Sequence, residues 1–374
     1  MSKNAHPTHA TISLSAFRNN LDVVRGLVSR STKIMAVVKS NAYGHGVRML
    51  AAEAVHWGVD YLAVARVDEG LELRSAGIGH PILVFEIAPR EQVADALNAD
   101  LDLTVATIEG ARMISATISA CGRKARLHVK VDTGMRRLGF EIKDAASAIL
   151  DIVRAPSLEL VGLCSHFATA EDNDQSFARE QLSGFNEVVH QVERQGIEIP
   201  LKHMANSAAI AMLPDSHFSI VRPGIMLYGY MPRKDLSTSD KLRPVMSLKS
   251  RISQLKEVDR GTSISYGRRF FTGARTRIAT VPIGYADGYS RALTNRSSVL
   301  IHGKRFPVVG TVCMDHLMVD IGLEKTIKEG DDVTLIGRDG TEAISCWEIA
   351  DLVGTIPYEV TCMISARVPR VMVE

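Results

Sequence analysis

One lysine of the chain stands where its amine could take part in chemistry. Lys39 directly follows the apolar run KIMAVV at residues 33–38 and precedes SNAYGHG, whose glycines allow the backbone to approach a ligand closely. An amine that is partly removed from water loses its proton more easily, and it can then act as a nucleophile or a base. A lysine in a structural salt bridge would occupy the same position, and position alone leaves both interpretations open.

A second lysine lies among polar residues that alternate along a strand. His128, Lys130 and Asp132 stand two residues apart in RLHVKVD, so their side chains lie on one face. Because parallel strands are usually covered on both faces, that face is expected to be interior. A buried polar side chain is costly unless it is hydrogen-bonded. The pattern therefore predicts an interior polar network, with an outward polar stripe as the alternative.

Two later segments combine groups that bind anions. Ser207 follows the run LKHMAN, and Arg222 precedes a Pro-Gly-Ile segment that ends with Gly224 and Ile225. A hydroxyl and backbone N–H groups in these loops form the phosphate site of many α/β barrels. Ser207 could instead cap the short helix that follows it, and both roles are compatible.

Together these groups indicate a phosphate-bearing ligand that reacts with a lysine. Lys39, a phosphate site and an arginine suited to a pyridine nitrogen predict pyridoxal 5'-phosphate bound covalently to the lysine. The alternative is a lysine-dependent aldolase, which needs the lysine and phosphate binding but no cofactor.

These residues require a fold that brings strand ends together. Apolar runs rich in β-branched residues alternate with segments of helical periodicity up to about residue 229, which predicts an α/β fold with a (β/α)8 TIM-type barrel. In such a barrel, functional side chains lie at the carboxyl ends of the strands. The eight predicted strands are residues 33–38, 61–65, 81–86, 101–106, 126–132, 158–167, 201–207 and 219–227.

The remainder of the chain has a different pattern. Beyond about residue 243, strand-like runs are separated by Gly, Asp and Asn, with turns at 303–304 and 338–340 and one predicted helix at 346–354. The sequence therefore predicts two domains. The first is the barrel, over residues 1–243, and the second is a mostly β C-terminal domain over residues 244–374.

Composition excludes several classes of function. The 44 basic and 42 acidic residues give a net charge of +2, unlike the basic surface of a nucleic-acid-binding protein. No apolar run reaches the roughly 18 residues of a membrane span. The N-terminal segment lacks the apolar core of a secretion signal, so we expect a cytoplasmic protein. Five scattered cysteines form no CxxC pair, so neither a metal site nor a disulfide framework is expected.

Several segments together resemble the alanine racemases, which are fold-type III pyridoxal-phosphate enzymes. The matching segments are AVVKSNAYGHG, KVDTGMRRLGF, SHFATA, HMANSAA, VRPGIMLYG, SYGRRF, VPIGYADGY, VGTVCMDHLMVDIG and PYEV, in the family's order from residue 36 to residue 360. Each segment alone is a weak signal, but the set spans nearly the whole chain. The resemblance implies a barrel followed by a β domain, and a homodimer whose active sites combine residues of both chains.

By this resemblance, two residues carry out the catalytic proton transfers. Lys39 would bind the cofactor covalently and act as one base, and Tyr266 of the partner subunit would act as the other. Inverting Cα requires a proton to leave one face and return to the other, which two groups on opposite sides achieve most simply. His166 would assist the tyrosine while also bonding to Arg222.

Further residues receive roles from the same resemblance. Arg222 would donate to the pyridine nitrogen and keep it unprotonated, Arg137 would contact the cofactor and the substrate carboxylate, and a carbamylated Lys130 would hold Arg137. Met314 of the partner subunit would offer its backbone N–H to the substrate. The other cofactor-binding residues would be Tyr43, His166, Asn206, Ser207, Gly224, Ile225 and Tyr358, and the residues at the substrate entrance would be Glu171, Tyr285 and Arg291.

The expected activity is the pyridoxal-phosphate-dependent interconversion of L- and D-alanine, which supplies D-alanine for peptidoglycan. One alternative is a related racemase that acts on serine or on basic amino acids. The others are a non-catalytic pyridoxal-phosphate carrier, which would lack the β domain, and a fold-type III decarboxylase, whose glycine-rich phosphate motif is not found. Three residues depart from the family pattern: Arg136 replaces the usual glycine, Ser40 a common alanine and Glu171 a frequent aspartate.

Overall fold

The structure is a computed structural model that describes residues 6–119 and 123–374. Cys121 lies outside the described residues. Within them, no helix is long and apolar enough to cross a membrane. The same residues contain no group of three His, Cys, Asp or Glu side chains placed to hold a metal ion.

The chain divides into two compact units. The larger comprises Phe17–Ala42 and Val47–Arg243, and the smaller comprises Tyr43–Gly46, Pro244–Glu374 and the described residues up to Ala16. One limit between the units coincides with the predicted boundary at residue 243. The N-terminal residues and a four-residue segment after Ala42, however, group with the C-terminal unit.

Strands and helices alternate along the first half of the chain, and strands dominate the second. The strands are β1 (His9–Ser13), β2 (Lys33–Val37), β3 (Tyr61–Val64), β4 (Ile82–Val84), β5 (Asp102–Val105), β6 (Ala125–Asp132), β7 (Phe140–Glu141), β8 (Leu158–Cys164), β9 (Leu201–His203), β10 (Ile220–Val221), β11 (Met246–Arg251), β12 (Gln254–Val258), β13 (Ser263–Ile264), β14 (Phe270–Phe271), β15 (Thr276–Val281), β16 (Ser298–Ile301), β17 (Lys304–Pro307), β18 (Leu317–Asp320), β19 (Asp332–Asp339), β20 (Glu342–Ile344) and β21 (Arg370–Val373). The α-helices are α1 (Leu14–Leu27), α2 (Lys39–Tyr43), α3 (Val47–Trp57), α4 (Val67–Ser75), α5 (Arg90–Asn98), α6 (Ile108–Ile118), α7 (Ile142–Arg154), α8 (Ser176–Glu193), α9 (Ser207–Met212), α10 (Cys346–Val353) and α11 (Pro357–Met363).

The larger unit is a nearly closed parallel barrel, which confirms the predicted fold. Its strands pair in the order β10-β2-β3-β4-β5-β6-β8-β9, and β7 pairs with β6. Where β9 and β10 approach each other, the backbone N–H of Arg222 donates to the carbonyl of Ala205 at 2.9 Å. Every residue of β3, β4 and β5 is buried, as expected for strands that are covered on both faces.

The last three barrel strands end earlier than predicted. β8, β9 and β10 end at Cys164, His203 and Val221 rather than at residues 167, 207 and 227. After β9 the chain turns directly into α9, and after β10 Pro223 has no N–H for a ladder hydrogen bond. The polar residues that follow these strands therefore lie in loops beyond the carboxyl ends of the strands.

The helices of this unit each bury one face. In α7 the buried residues are Ala145, Ala148, Ile149 and Ile152, spaced three and four apart. Thr107 begins α6 by accepting a hydrogen bond from the N–H of Gly110 at 3.0 Å, which satisfies a donor that the helix itself cannot pair. These helices leave the carboxyl ends of the strands open for the site.

The smaller unit is mostly β, as predicted. Its main sheet has the order β17-β16-β19-β11-β1-β21 with β20 on β19, and smaller sheets are formed by β12-β15-β18 and by β13-β14. The sequence analysis missed β1, which pairs antiparallel with β11 and parallel with β21. It also missed α11, which begins with a proline, while α10 matches the predicted helix.

Candidate active site

The backbone forms a left-handed turn directly after Lys39. Ser40, Asn41, Ala42 and Tyr43 all have φ between 51° and 54°, so α2 is one turn of left-handed helix. This conformation is less stable than the right-handed one by roughly 1–2 kcal/mol for each residue other than glycine. A turn of this kind persists only when surrounding contacts hold it, and it fixes the direction in which the lysine leaves its strand.

The carboxylate of Glu69 and the side-chain amide of Asn41 hold that turn. The N–H of Ser40 donates to the Glu69 carboxylate at 2.6 Å, and the other oxygen of Glu69 accepts from the N–H of Ala65 at 2.7 Å. The side chain of Asn41 accepts from the N–H of Val47 at 2.8 Å. The residue after Lys39 is thereby tied to the carboxyl end of the neighbouring strand β3.

In the smaller unit, two tyrosines that the resemblance assigns to phosphate lie side by side. The ring centroids of Tyr43 and Tyr358 are 6.1 Å apart. Burial raises the pKa of Tyr43, so its hydroxyl stays protonated and can donate a hydrogen bond. Gly44 has φ +83°, and a Cβ there would lie 2.1 Å from the carbonyl oxygen of Thr361, so only glycine allows this approach.

Four cationic side chains surround one neutral histidine in the barrel. Desolvation, followed by the charges of Arg222, Lys130, Arg137 and Lys39, lowers the pKa of His166 well below its ordinary value. Four of the predicted site residues, Lys39, Lys130, Arg137 and Arg222, thus act electrostatically on one imidazole. The group carries an excess of positive charge that an anionic ligand would balance.

Two of these cations, Lys130 and Arg137, line a small cleft. Lys130, Asp132, Arg137 and His166 are among its lining residues. Desolvation, together with Arg222 and Arg137, lowers the pKa of Lys130 to about 8. A fraction of the Lys130 amines is therefore uncharged near neutral pH.

Arg222 is buried, and its guanidinium contacts neutral acceptors. Nη1 lies 2.9 Å from Nδ1 of His203, and Nη2 lies 3.1 Å from Nδ1 of His166. Nη2 also donates to the carbonyls of Ser165 at 2.8 Å and Met204 at 3.0 Å. Burial lowers the pKa of Arg222 to about 10, so it remains protonated at neutral pH.

The cap of α9 is Asn206, which corrects the interpretation that Ser207 caps it. The side chain of Asn206 accepts from the N–H of Ala209 at 3.0 Å. Ser207 instead accepts from the N–H of Gly224 at 2.9 Å and joins the loops after β9 and β10. Because the hydroxyl of Ser207 accepts there, its own hydrogen is left to donate to a ligand. Ile225 begins the single helical turn that follows Gly224.

The two adjacent arginines after β6 point to different surroundings. Arg136 forms an ion pair with both carboxylate oxygens of Glu141, at 2.6 and 2.9 Å, and both side chains are exposed. Arg137 lines the cleft with Lys130. The additional arginine of this chain therefore faces solvent and leaves the cleft to Arg137. Its φ of +57° explains why glycine suits the position.

In the smaller unit, Tyr266 and Met314 are exposed on neighbouring loops. Tyr266 is 73% exposed and Met314 is 52% exposed. The hydroxyl of Thr311 donates to the Tyr266 carbonyl at 2.7 Å, and the N–H of Ala286 donates to the Met314 carbonyl at 3.1 Å. Their backbones are thus fixed, while their side chains are free of the core of this unit.

The three residues assigned to the substrate entrance lie in separate surroundings. Tyr285 and Arg291 are exposed residues of single helical turns in the smaller unit. Glu171 lies in the larger unit, where its carbonyl accepts from Nη1 of Arg233 at 2.8 Å.

Sequence reasoning missed four residues that extend the polar interior of the barrel. His128 was expected in an interior network, but its partners His203 and Asp102, and beyond them Tyr61 and Arg126, were not identified. A signal was available for His203, which is a histidine within the apolar run of a buried strand. Asp102 begins a strand and resembles an ordinary turn residue in sequence.

Comparison with known proteins covers both units. Residues 12–232 match the family model of Alanine racemase, N-terminal domain, and residues 245–372 match Alanine racemase, C-terminal domain. An alanine racemase of Methanococcus maripaludis is 45% identical over 98% of this chain and 99% of that protein.

Solved structures of alanine racemases and of a related racemase have the same fold as this chain. An alanine racemase of Clostridium difficile 630 superposes with a TM-score of 0.95 at 41% identity, covering 100% of this chain and 97% of that one. A histidine racemase of Leuconostoc mesenteroides subsp. sake superposes with a TM-score of 0.92 at 27% identity, covering 99% of each chain. The same architecture therefore serves relatives with different named substrates.

The backbone at Arg136 provides a test of the local geometry. Arg136→Gly should have a higher free energy of unfolding than Arg136→Ala, because both lose the ion pair but only glycine relieves the positive φ. Chemical denaturation of the two variants measures the difference. Racemase activity of Arg136→Ala should stay within about twofold of the parent, since exposed pairs contribute little. Equal stability of the two variants would contradict the strained backbone.

Proposed function

The chain belongs to the alanine racemase family, and we propose that it interconverts L-alanine and D-alanine with pyridoxal 5'-phosphate bound to Lys39. Racemases are isomerases. The observation that carries the proposal is that Lys130, Arg137 and His166 line one cleft while Arg222 lies 3.1 Å from His166. The charge of Lys39 acts on the same imidazole. A cofactor that bears a phosphate and a phenolate, with an amino acid carboxylate, would balance this positive charge.

The donors of the barrel suit the chemical groups of this cofactor. Ser207, with the loop at Gly224 and Ile225, suits the phosphate, and Arg222 suits the pyridine nitrogen because an arginine donates and does not accept. Asn206 holds the helix that begins at Ser207, and the hydroxyls of Tyr43 and Tyr358 would add phosphate donors. When bound, the cofactor supplies an electron sink that acidifies the Cα–H bond of the amino acid.

Two bases on opposite sides of Cα would move the proton. Nζ of Lys39 would serve one face, and the hydroxyl of Tyr266 of the partner subunit would serve the other. A tyrosine has an ordinary pKa of about 10, so it needs stabilisation of its deprotonated oxygen. His166 is neutral and accepts from Arg222 through Nδ1, so its hydrogen is on Nε2 and can be donated to that oxygen.

Lys130 would act as an anion after reaction with carbon dioxide. An ammonium beside Arg222 and Arg137 is repelled by both, and the pKa of about 8 leaves part of the amine free to react. A carbamate would convert the repulsion into attraction and would hold Arg137 toward the carboxylate of the substrate. The carbamate would also reduce the excess positive charge of the cleft.

A second copy of the chain would complete each site. The smaller unit exposes large apolar side chains that a monomer would normally cover, namely Tyr266, Phe271, Tyr285, Met314 and Ile356. In the proposed homodimer, the backbone N–H of Met314 of the partner subunit would bind the substrate carboxylate. Glu171, Tyr285 and Arg291 would line the entrance and restrict it to a small side chain.

Substrate choice needs a direct test, because the fold alone does not determine the side chain that is accepted. A histidine racemase shares the architecture, and a racemase acting on serine or basic amino acids remains the alternative function. With alanine as substrate, the enzyme would act in the cytoplasm and supply D-alanine for peptidoglycan.

The cofactor-loaded protein should convert L-alanine with a kcat/KM at least about tenfold above that for L-serine, L-lysine or L-arginine, a difference of about 1.4 kcal/mol. Chiral chromatography of the products measures each rate. Lys39→Ala should bind no cofactor covalently, whereas Ser40→Ala, which alters only an exposed side chain, should bind it normally. Faster turnover of serine or lysine would assign the alternative function, and failure of the parent protein to bind the cofactor would refute the proposal.

Tyr266→Phe should lower kcat by about 10²–10⁴-fold, because it removes one of the two groups that exchange protons with Cα. In heavy water, the variant should still exchange the Cα hydrogen of one alanine enantiomer while exchange of the other is lost. NMR of each enantiomer follows this directly. Tyr289→Phe, which removes a buried hydroxyl elsewhere in the same unit, is the matched control. Equal exchange of both enantiomers by Tyr266→Phe would exclude Tyr266 as a base.

The carbamate on Lys130 should be visible without any assay of activity. Protein equilibrated with ¹³C-labelled bicarbonate should show a carbamate carbon resonance that is absent from Lys130→Arg. Acidification should remove the signal, since a carbamate loses carbon dioxide when it is protonated. A spectrum without this resonance in the parent protein would show that Lys130 remains an amine.

A further inference from the structure

We infer that Asp102, His128 and His203 form a one-directional hydrogen-bond relay through the barrel that positions the guanidinium of Arg222. Nη1 of Arg222 lies 2.9 Å from Nδ1 of His203, and Nε2 of His203 lies 2.8 Å from Nδ1 of His128. Nε2 of His128 lies 3.3 Å from the carboxylate of Asp102. All four side chains are buried. Asp102 and His128 are thus positioning residues for Arg222.

The two ends of the relay determine where every hydrogen lies. An arginine can only donate, so Nδ1 of His203 must accept and its hydrogen is on Nε2. That hydrogen is donated to Nδ1 of His128, whose own hydrogen must then be on Nε2, facing a carboxylate that can only accept. This is the single arrangement in which each contact has one donor and one acceptor, and it requires both histidines to be neutral.

Electrostatics agree with this arrangement. Desolvation, with Arg222 and His128 as further causes, lowers the pKa of His203 well below its ordinary value. If either ring gained a second hydrogen, two N–H groups would face each other somewhere between Arg222 and Asp102. The aligned imidazoles instead connect the positive charge at one end to the negative charge at the other.

The acidic end is itself anchored. The hydroxyl of Tyr61 donates to Asp102 at 2.7 Å, and Nε of Arg126 lies 3.0 Å from the other carboxylate oxygen. Tyr61 and Asp102 are the first residues of β3 and β5, and Arg126 is near the start of β6. The anchor therefore lies at the amino ends of the strands, opposite the end where Lys39 stands.

The backbone makes room for the relay by a local irregularity. The pairing of β6 and β8 shifts between Leu127 and His128, which places Gly162 beside the imidazole. A Cβ at Gly162 would lie 2.3 Å from Nδ1 of His128, so any other residue would displace the ring. A bulge and a glycine at this point suit a ring that must be held in one position.

The inference has a functional consequence that rests on the proposed racemase. If Arg222 binds the pyridine nitrogen, the relay keeps that donor in place and protonated from the far end of the barrel. The competing interpretation is that the same polar groups only stabilise the barrel, as residues at this end commonly do. The two interpretations differ in what an apolar replacement of His128 should do.

Two variants of His128 separate these interpretations. The amide oxygen of His128→Asn can replace Nδ1 as an acceptor for His203, whereas His128→Leu fills similar space without an acceptor. A purely structural role predicts that leucine is tolerated at least as well as asparagine, because buried polar groups can often be replaced by packed apolar ones. The relay predicts instead that asparagine is tolerated better than leucine.

The first readout uses the protein without cofactor. In ¹⁵N-histidine-labelled apoprotein, the Nε2–H proton of His203 should show the downfield shift of a hydrogen-bonded imidazole in the parent and in His128→Asn. It should move upfield in His128→Leu, where that hydrogen has lost its acceptor. An unchanged Nε2–H proton shift of His203 in His128→Leu would overturn the relay. This measurement is independent of catalysis, so it distinguishes failure of the relay from failure of the proposed function.

The second readout uses the loaded enzyme. His128→Leu should lower kcat by about 10–100-fold with little change in KM, as outer partners of a reactive group commonly do, and His128→Asn should recover most of the loss. Equal kcat values for the two variants would overturn the relay. If His128→Leu does not fold, Asp102→Asn decides, because an amide oxygen is a weaker acceptor than a carboxylate. The Nε2–H proton of His128 should then move upfield and kcat should fall. A parent-like Nε2–H proton shift of His128 together with a parent-like kcat in Asp102→Asn would then refute the inference.

Discussion

The burial of one guanidinium governs the chemistry of the whole site. Arg222 is held by histidine nitrogens and backbone carbonyls, so its charge is not cancelled at close range. That charge contributes to the lowered pKa of His166, His203 and Lys130 alike. Desolvation is the largest cause of each pKa shift, and the charge of Arg222 adds to it, so both imidazoles stay neutral and the Lys130 amine loses its proton more easily. The proposed roles of these residues in proton transfer and ligand binding all depend on this placement.

The barrel could be predicted, and candidate site residues could be named, because both rest on local patterns. Strand periodicity predicted the order of the elements, and polar residues that follow strands indicated Lys39 and Ser207. The polar alternation in β6 likewise predicted an interior network. Each of these signals is contained within a few neighbouring residues, and a barrel brings all strand ends to one face.

What the sequence could not predict depends on contacts between distant segments. The position of β1 follows from its pairing with strands more than 230 residues away in the chain. The partners of His128 depend on a register shift between β6 and β8 that no local pattern records. Likewise, Arg136 and Arg137 differ in direction because of a positive φ, and a string of two arginines does not reveal which of them faces the cleft.

The left-handed turn after Lys39 makes the site dependent on the completeness of folding. Four consecutive residues in the left-handed conformation destabilise the fold by roughly 4–8 kcal/mol, which is comparable to the net free energy of unfolding of a domain. A partly folded chain lacks the contacts that offset such a loss and would relax to ordinary backbone. The lysine would then take a different direction. Only the completed fold therefore fixes the direction in which the Lys39 amine leaves its strand.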